Sequence, residues 1–258
     1  ASHDSLKAVH YLELGDLYQY NHQNTALLYY QKALDLAKKG GHLRLTGKCL
    51  NYIAVLYIYR SEYDKTINYL KQSIAYKEQA GDTGGIANGY NNLGVISKNQ
   101  GDFGKALEYF QKTARLRESL AKRTSSPETQ RNNIEKTGHA YNNQGNIYYQ
   151  FGDYSRAIGF YKKGLEQYEQ IGYSKGISAC YNNIGNVFEE QESYDKALDY
   201  YSRALKLNRK LDEVRNIGTC LNNIGEVYLK SNDLRKARDH FERSLKYREE
   251  ANDKQGIS

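Results

Sequence analysis

The stretch Tyr90-Asn91-Asn92-Leu93-Gly94-Val95-Ile96-Ser97, followed by Gly101-Asp102, Ala106 and Phe110, decides how the chain is read. Tyr90, Leu93, Gly94 and Ser97 fall at i, i+3, i+4 and i+7, one face of a helix. Gly101-Asp102 then supplies a stop and a start, because glycine suits the left-handed C′ position and aspartate the next N-cap. Ala106, Phe110 and Ala114 lie on the buried face of a second helix. The predicted unit is a helical hairpin with a short turn.

Outward from this stretch the pattern returns. Gly15, Ala54, Gly94, Gly145, Gly185 and Gly225 mark six copies, 39, 40, 51, 40 and 40 residues apart. Ala106, Ala157, Ala197 and Ala237 stand twelve residues after four of these markers, and Phe110, Tyr161, Tyr201 and Phe241 four further on. Such self-similarity indicates an array in which each unit packs on its neighbours. A glycine costs up to about 1 kcal/mol in a helix interior relative to alanine. Small markers therefore imply a close helix crossing, with the second-helix alanine as the expected partner. The first two copies are degenerate, with Ala54, Thr66 and Leu70 at the consensus positions and one turn residue missing near residues 22–24.

The 51-residue interval places about eleven extra residues within 119–135, around the only proline, Pro127. A longer loop between units with partly extended flanking helices is expected there. Gly152-Asp153 repeats the turn device, while Ser193 and Asp233 keep the capping residue without the glycine. Residues 253–258 copy the entry to an earlier unit at 173–178. Residues 1–258 thus read as a single array of about six repeats plus the start of a seventh. Methionine is absent even at position 1, so a piece of a longer protein is expected.

An apolar fraction of 39% with 26 tyrosines and no tryptophan suits a thin solenoid, where a ring can be buried while its hydroxyl stays wet. No run of 18 apolar residues and no secretory h-region is found, so no membrane segment is read in this fragment. The net charge of +7 is modest, and bases such as Lys206, Arg209 and Lys210 sit beside Asp212 and Glu213. No nucleic acid partner is expected. Cys49, Cys180 and Cys220 each precede a marker by five residues and read as packing positions, too far apart for a disulfide. That usage mildly favours a reducing, cytoplasmic compartment.

Tyr-Asn-Asn-Leu-Gly at 90–94, Tyr-Asn-Asn-Gln-Gly at 141–145 and Tyr-Asn-Asn-Ile-Gly at 181–185 resemble the tetratricopeptide repeat signature. Tyr148, Phe188 and Tyr228 match its middle aromatic, and Ser97 departs from it. The 40-residue period resembles the longer repeats of kinesin light chains, spindle-orientation adaptors and bacterial peptide-sensing regulators. It also resembles regions preceding histidine kinases or DNA-binding domains. The resemblance implies an all-α fold, a right-handed superhelical solenoid whose first helices line a concave groove.

The residues three before and one after each marker share a helix face. They are Asn91 and Val95, Asn142 and Asn146, Asn182 and Asn186, Asn222 and Glu226. The resemblance implies that such asparagines hold the backbone of an extended peptide, and an amide offers both donors and an acceptor for it. Lys98 and Asn99, Tyr149, and Glu189 continue the face, which grows acidic toward the later units, while Val55, Ile58 and Tyr59 offer apolar contacts in an early one. Asn92, Asn143, Asn183 and Asn223 are rotated away and are expected to hydrogen-bond between helices. The family's carboxylate clamp needs Lys and Arg at the asparagine positions, and no full set is present.

No catalytic set, cofactor loop or metal spacing is read: the six histidines are scattered, and His139 alone sits beside the groove, one turn before Asn142. The expected function is a non-catalytic scaffold for a protein or peptide partner in the groove. Two alternatives are a sensory region of a larger bacterial signalling protein and self-association through the C-terminal end.

Overall fold

The computed structural model describes residues 3–256, with side chains from 4 to 251. It holds twelve helices and no strand among the described residues. The chain divides into two compact units between Thr124 and Ser125. In the first, α1 (His3–Tyr18) pairs with α2 (Gln23–Lys39), α3 (Leu43–Tyr59) with α4 (Tyr63–Gln79), and α5 (Thr83–Asn99) with α6 (Phe103–Arg123). In the second, α7 (Pro127–Gln150) pairs with α8 (Tyr154–Gln170), α9 (Ser174–Glu190) with α10 (Tyr194–Lys210), and α11 (Val214–Lys230) with α12 (Leu234–Gly256). The expected opening of a seventh unit falls partly on the end of α12 and partly on Ile257 and Ser258, outside the described residues.

The hairpin turn works as its sequence suggests. Asp102 N–H reaches Ser97 O at 2.8 Å and Gly101 N–H reaches Lys98 O at 3.0 Å, closing α5 with Gly101 at φ 77°. The Asp102 carboxylate then accepts from Lys105 N–H at 3.1 Å and opens α6. Asp153 and Asp233 cap α8 and α12 in the same way. Ser193 departs from expectation: its side chain makes no capping bond. Where glycine is missing, Glu192 and Asn232 take the left-handed conformation at φ 56° and 64°.

The marker glycines are small for a reason other than the one expected. A Cβ on Gly145, Gly185 or Gly225 would lie 2.5, 2.6 or 2.7 Å from the ring of Tyr161, Tyr201 or Phe241, so the aromatic, not the alanine, is what the glycine admits. The degenerate second copy fits the same rule: Leu70 stands at the position of the aromatic and packs in one cluster with Ala54. The alanines are fully buried beside them.

The extra residues of the long interval also differ from expectation, entering helix rather than loop. With 21 and 24 residues, α6 and α7 outgrow the 17-residue helices, and only 124–126 link them. Ser126 Oγ accepts from Thr129 N–H at 3.3 Å and Pro127 takes the first turn of α7, where its missing N–H costs nothing.

Candidate functional site: the first-helix face

In the second unit the asparagines of the first helices form a continuous ladder. Asn183 Nδ2 donates to Asn142 Oδ1 at 2.9 Å and lies 3.5 Å from Asn146 Oδ1. One hairpin later, Asn223 Nδ2 lies 3.1 Å from Asn182 Oδ1 and 3.3 Å from Asn186 Oδ1. The rotated asparagines thus bond between helices as expected, and their acceptors are the very asparagines expected to line the groove. In the first unit Asn92 Nδ2 donates to Asn51 Oδ1 at 3.3 Å, and Asn51 is a ladder member that the reading of markers passed over.

Asn146 and Asn186 have a further task. The buried Tyr161 hydroxyl donates to Asn146 Oδ1 at 2.9 Å, and the Tyr201 hydroxyl to Asn186 Oδ1 at 2.7 Å. Tyr30 does the same to Asp16 at 2.7 Å. Burial is the main cause that pushes all three phenols far above the ordinary range, so they stay protonated donors. Where the second-helix residue is Leu70 or Phe110, without a hydroxyl, the position after the marker is Val55 or Val95; the last copy departs, with Phe241 opposite Gly225 and Glu226 after it. In five of the six copies the residue after the marker therefore follows the needs of the core.

With their oxygens engaged, Asn142, Asn146, Asn182 and Asn186 are half-buried, and among the described residues their NH2 groups have no protein acceptor. Such a face donates hydrogen bonds and accepts few. Glu189, only 7% exposed, receives the Tyr201 hydroxyl at 2.6 Å and Lys230 Nζ at 2.7 Å, joining two hairpins. Burial first and Glu190 next raise the Tyr149 phenol, which sits by this acidic group. Asn222 donates to Glu226 at 2.6 Å within α11. Asn91 and Lys98 are half-buried on α5 in the first unit, and Asn99 there is exposed. His139, at the ladder's edge, has Nδ1 3.0 Å from the Tyr168 hydroxyl.

The first unit carries a cavity of about 830 Å³ along α1, α3 and α5 that the sequence reading missed. Arg44, Lys48, Lys77 and Arg117 line it together with Asp82 and Asn51. Lys77 and Arg117 come from the second helices, α4 and α6, and each is 5% exposed. Arg117 donates to Gly84 O at 2.9 Å and to Asn88 Oδ1.

The three cysteines are buried, and burial pushes their thiols up to about 12, 12 and 11 for Cys49, Cys180 and Cys220, which makes them inert at neutral pH. Among the described residues no group of His, Cys, Asp and Glu is placed to hold a metal, and no helix is long and apolar enough to cross a membrane.

Solved structures share this architecture at low identity. BtubC from P. vanneervenii superposes with a TM-score of 0.69 at 18% identity, over 98% of this chain and 93% of that one. PH0952 from Pyrococcus horikoshii, a signal transduction ATPase described as having a tetratricopeptide repeat sensor, gives 0.75 at 17% identity over 90% of this chain. The chain spans only 34% of that protein. A Rap protein complexed with Competence and Sporulation Factor gives 0.67 at 17% identity, over 96% of this chain and 66% of that one. No curated protein matches the sequence. The family model for the tetratricopeptide repeat matches residues 85–170 and 176–250, well over half the length, and so the protein belongs to the tetratricopeptide repeat family.

Proposed function

We propose that the protein is a non-catalytic binding scaffold that takes an extended peptide along the first-helix face. The observation that carries this reading is the row of half-buried asparagine NH2 groups on Asn142, Asn146, Asn182 and Asn186, whose oxygens are held by the fold. Held oxygens orient the donors, and oriented donors pair with the carbonyls of an extended backbone at low entropic cost. The bound segment is recognised first by its main chain, with Tyr149 and Glu189 beside the ladder shaping side-chain preference.

A test must spare the ladder while removing its donors. Asn142→Asp with Asn182→Asp keeps an oxygen for Asn183 and Asn223 and replaces the outward NH2 donor by an acceptor that carries negative charge, which should repel the carbonyls of a bound backbone. A random peptide library is selected on the full chain, and a recovered peptide is titrated by calorimetry. Affinity is expected to fall about tenfold or more in the double variant, with the melting point close to the parent's. Equal affinity would place the binding face elsewhere.

A second reading is a sensory region of a larger protein, favoured by the likeness to the repeat sensor of PH0952. An output domain in the same gene, and a peptide-dependent change in its activity, would decide for it.

A further inference from the structure

We propose that the cleft of the first unit is a carboxylate site, taking an acidic side chain of an extended peptide through the ammonium of Lys77. The proposal deepens the groove reading and rests on it.

The lysine is built into the fold rather than laid on it. A Cβ on Gly47 of α3 would lie 2.8 Å from Lys77 Cγ, and one on Gly85 of α5 would lie 2.8 Å from its Cδ. Two glycines on successive first helices thus clear a channel for the stem of one side chain. Neither takes a positive φ; Gly47 makes room for Lys77, and Gly85 makes room both for Lys77 and for the Asp82 carboxylate that caps α5, which a Cβ there would also strike. The channel carries the ammonium from the second-helix layer to the cleft wall.

At the end of that channel the charge is poorly met. Its hydrogen bond is to Gly85 O at 3.4 Å, and it forms no ion pair with a carboxylate among the described residues. Asp82 is the anion that acts on it, and that carboxylate already caps α5 by accepting from Gly85 N–H at 2.9 Å. A buried ammonium without a close anion is costly. The helix dipole favours a cation at this C-terminus by less than the cost of taking an ammonium out of water, so the dipole does not account for the burial. The remaining charges on the cleft, Arg44 and Lys48 from α3 and Arg117 from α6, have the same sign. A partner carboxylate supplies the missing counter-charge. The cleft follows the face of α1, α3 and α5 rather than closing around a small molecule, which suits a peptide.

The test uses the full chain and a fluorescein-labelled peptide of alternating Glu and Gly, with a Gln-for-Glu peptide, glutarate and inorganic phosphate as comparisons. Lys77→Met keeps the stem in its channel and removes the charge, and Lys48→Ala removes an exposed rim cation together with its contact on the Tyr52 ring. The Glu peptide is expected to bind, to lose about tenfold in affinity with Lys77→Met and a smaller factor with Lys48→Ala, and to outbind the Gln peptide. No binding of the Glu peptide, or binding indifferent to both substitutions, overturns the site. Glutarate or phosphate binding as tightly as the peptide overturns the peptide as its occupant. The Asn142→Asp, Asn182→Asp selection does not involve this cation, so the site and the groove reading fail separately.

Discussion

Lys77 in the first unit and Tyr168 in the second occupy the same register and are framed in the same way. Gly47 and Gly85 flank the lysine, and Gly138 and Gly176 flank the tyrosine, whose ring would lie 2.5 and 2.6 Å from a Cβ on either. The ends of the two side chains differ. Tyr168 finishes in a hydroxyl that meets the His139 ring at 3.0 Å. Lys77 finishes in an ammonium with one long hydrogen bond. The glycine frame recurs in these two copies, and what it delivers to the first-helix face differs between them. A scaffold of nearly fixed geometry can therefore present very different chemistry at equivalent places.

The sharpest way to break the comparison is to remove each side chain and compare signs. Tyr168→Ala should cost about 3–5 kcal/mol, read from the denaturant midpoint, because it leaves a ring-sized void between two glycines. A cost below about 1 kcal/mol would mean that the frame collapses freely and the parallel is superficial. Lys77→Met should move the other way and stabilise the chain at pH 7 by about 1–3 kcal/mol, since it relieves a buried charge.

The sign with pH follows from linkage. Burial holds the folded Lys77 ammonium down to about 8, against an ordinary value of 10.5. Between those values the unfolded chain binds more protons, so the parent gains stability as pH rises through that window. The advantage of Lys77→Met should be full below pH 8 and shrink toward pH 10.5, which paired chemical denaturation series at several pH values will show. An advantage independent of pH would mean that the ammonium is not desolvated.

The smallest expected effect concerns the tyrosine and asparagine pairs. Tyr201→Phe should cost about 1–2 kcal/mol by leaving Asn186 and Glu189 without their shared donor. Adding Asn186→Val recreates the Phe110 and Val95 combination of another copy and should recover part of the loss, with a coupling of about 1 kcal/mol in a double-mutant cycle. Strict additivity would separate the two positions.

Much of this was legible in the sequence, for reasons that are local. The hairpin, its helix faces and the Gly101-Asp102 turn all depend on contacts within a few residues, and those spacings are visible in one copy. The rotated asparagines were also readable, since a helix face tells which way they point. The partner of each marker glycine was not, because Ala106 and Phe110 differ by one helical turn and only packing decides which of them reaches Gly94. The engaged oxygens of Asn142 and Asn182 depend on groups 41 residues away. Lys77 was hidden because a lysine in the last turn of a helix ordinarily reads as solvated. Its signal was present in Gly47, a glycine in the middle of a first helix, and in part in Gly85, which also makes room for the Asp82 cap.

The double use of Asp102 has a mechanical consequence. One residue completes the closing bonds of α5 with its main chain and begins α6 with its side chain, so no free torsion remains between the two rods. A hairpin built this way moves as one stiff bracket. Any bending that accompanies binding must be taken up where one bracket slides on the next, through side-chain contacts such as Asn183 on Asn142.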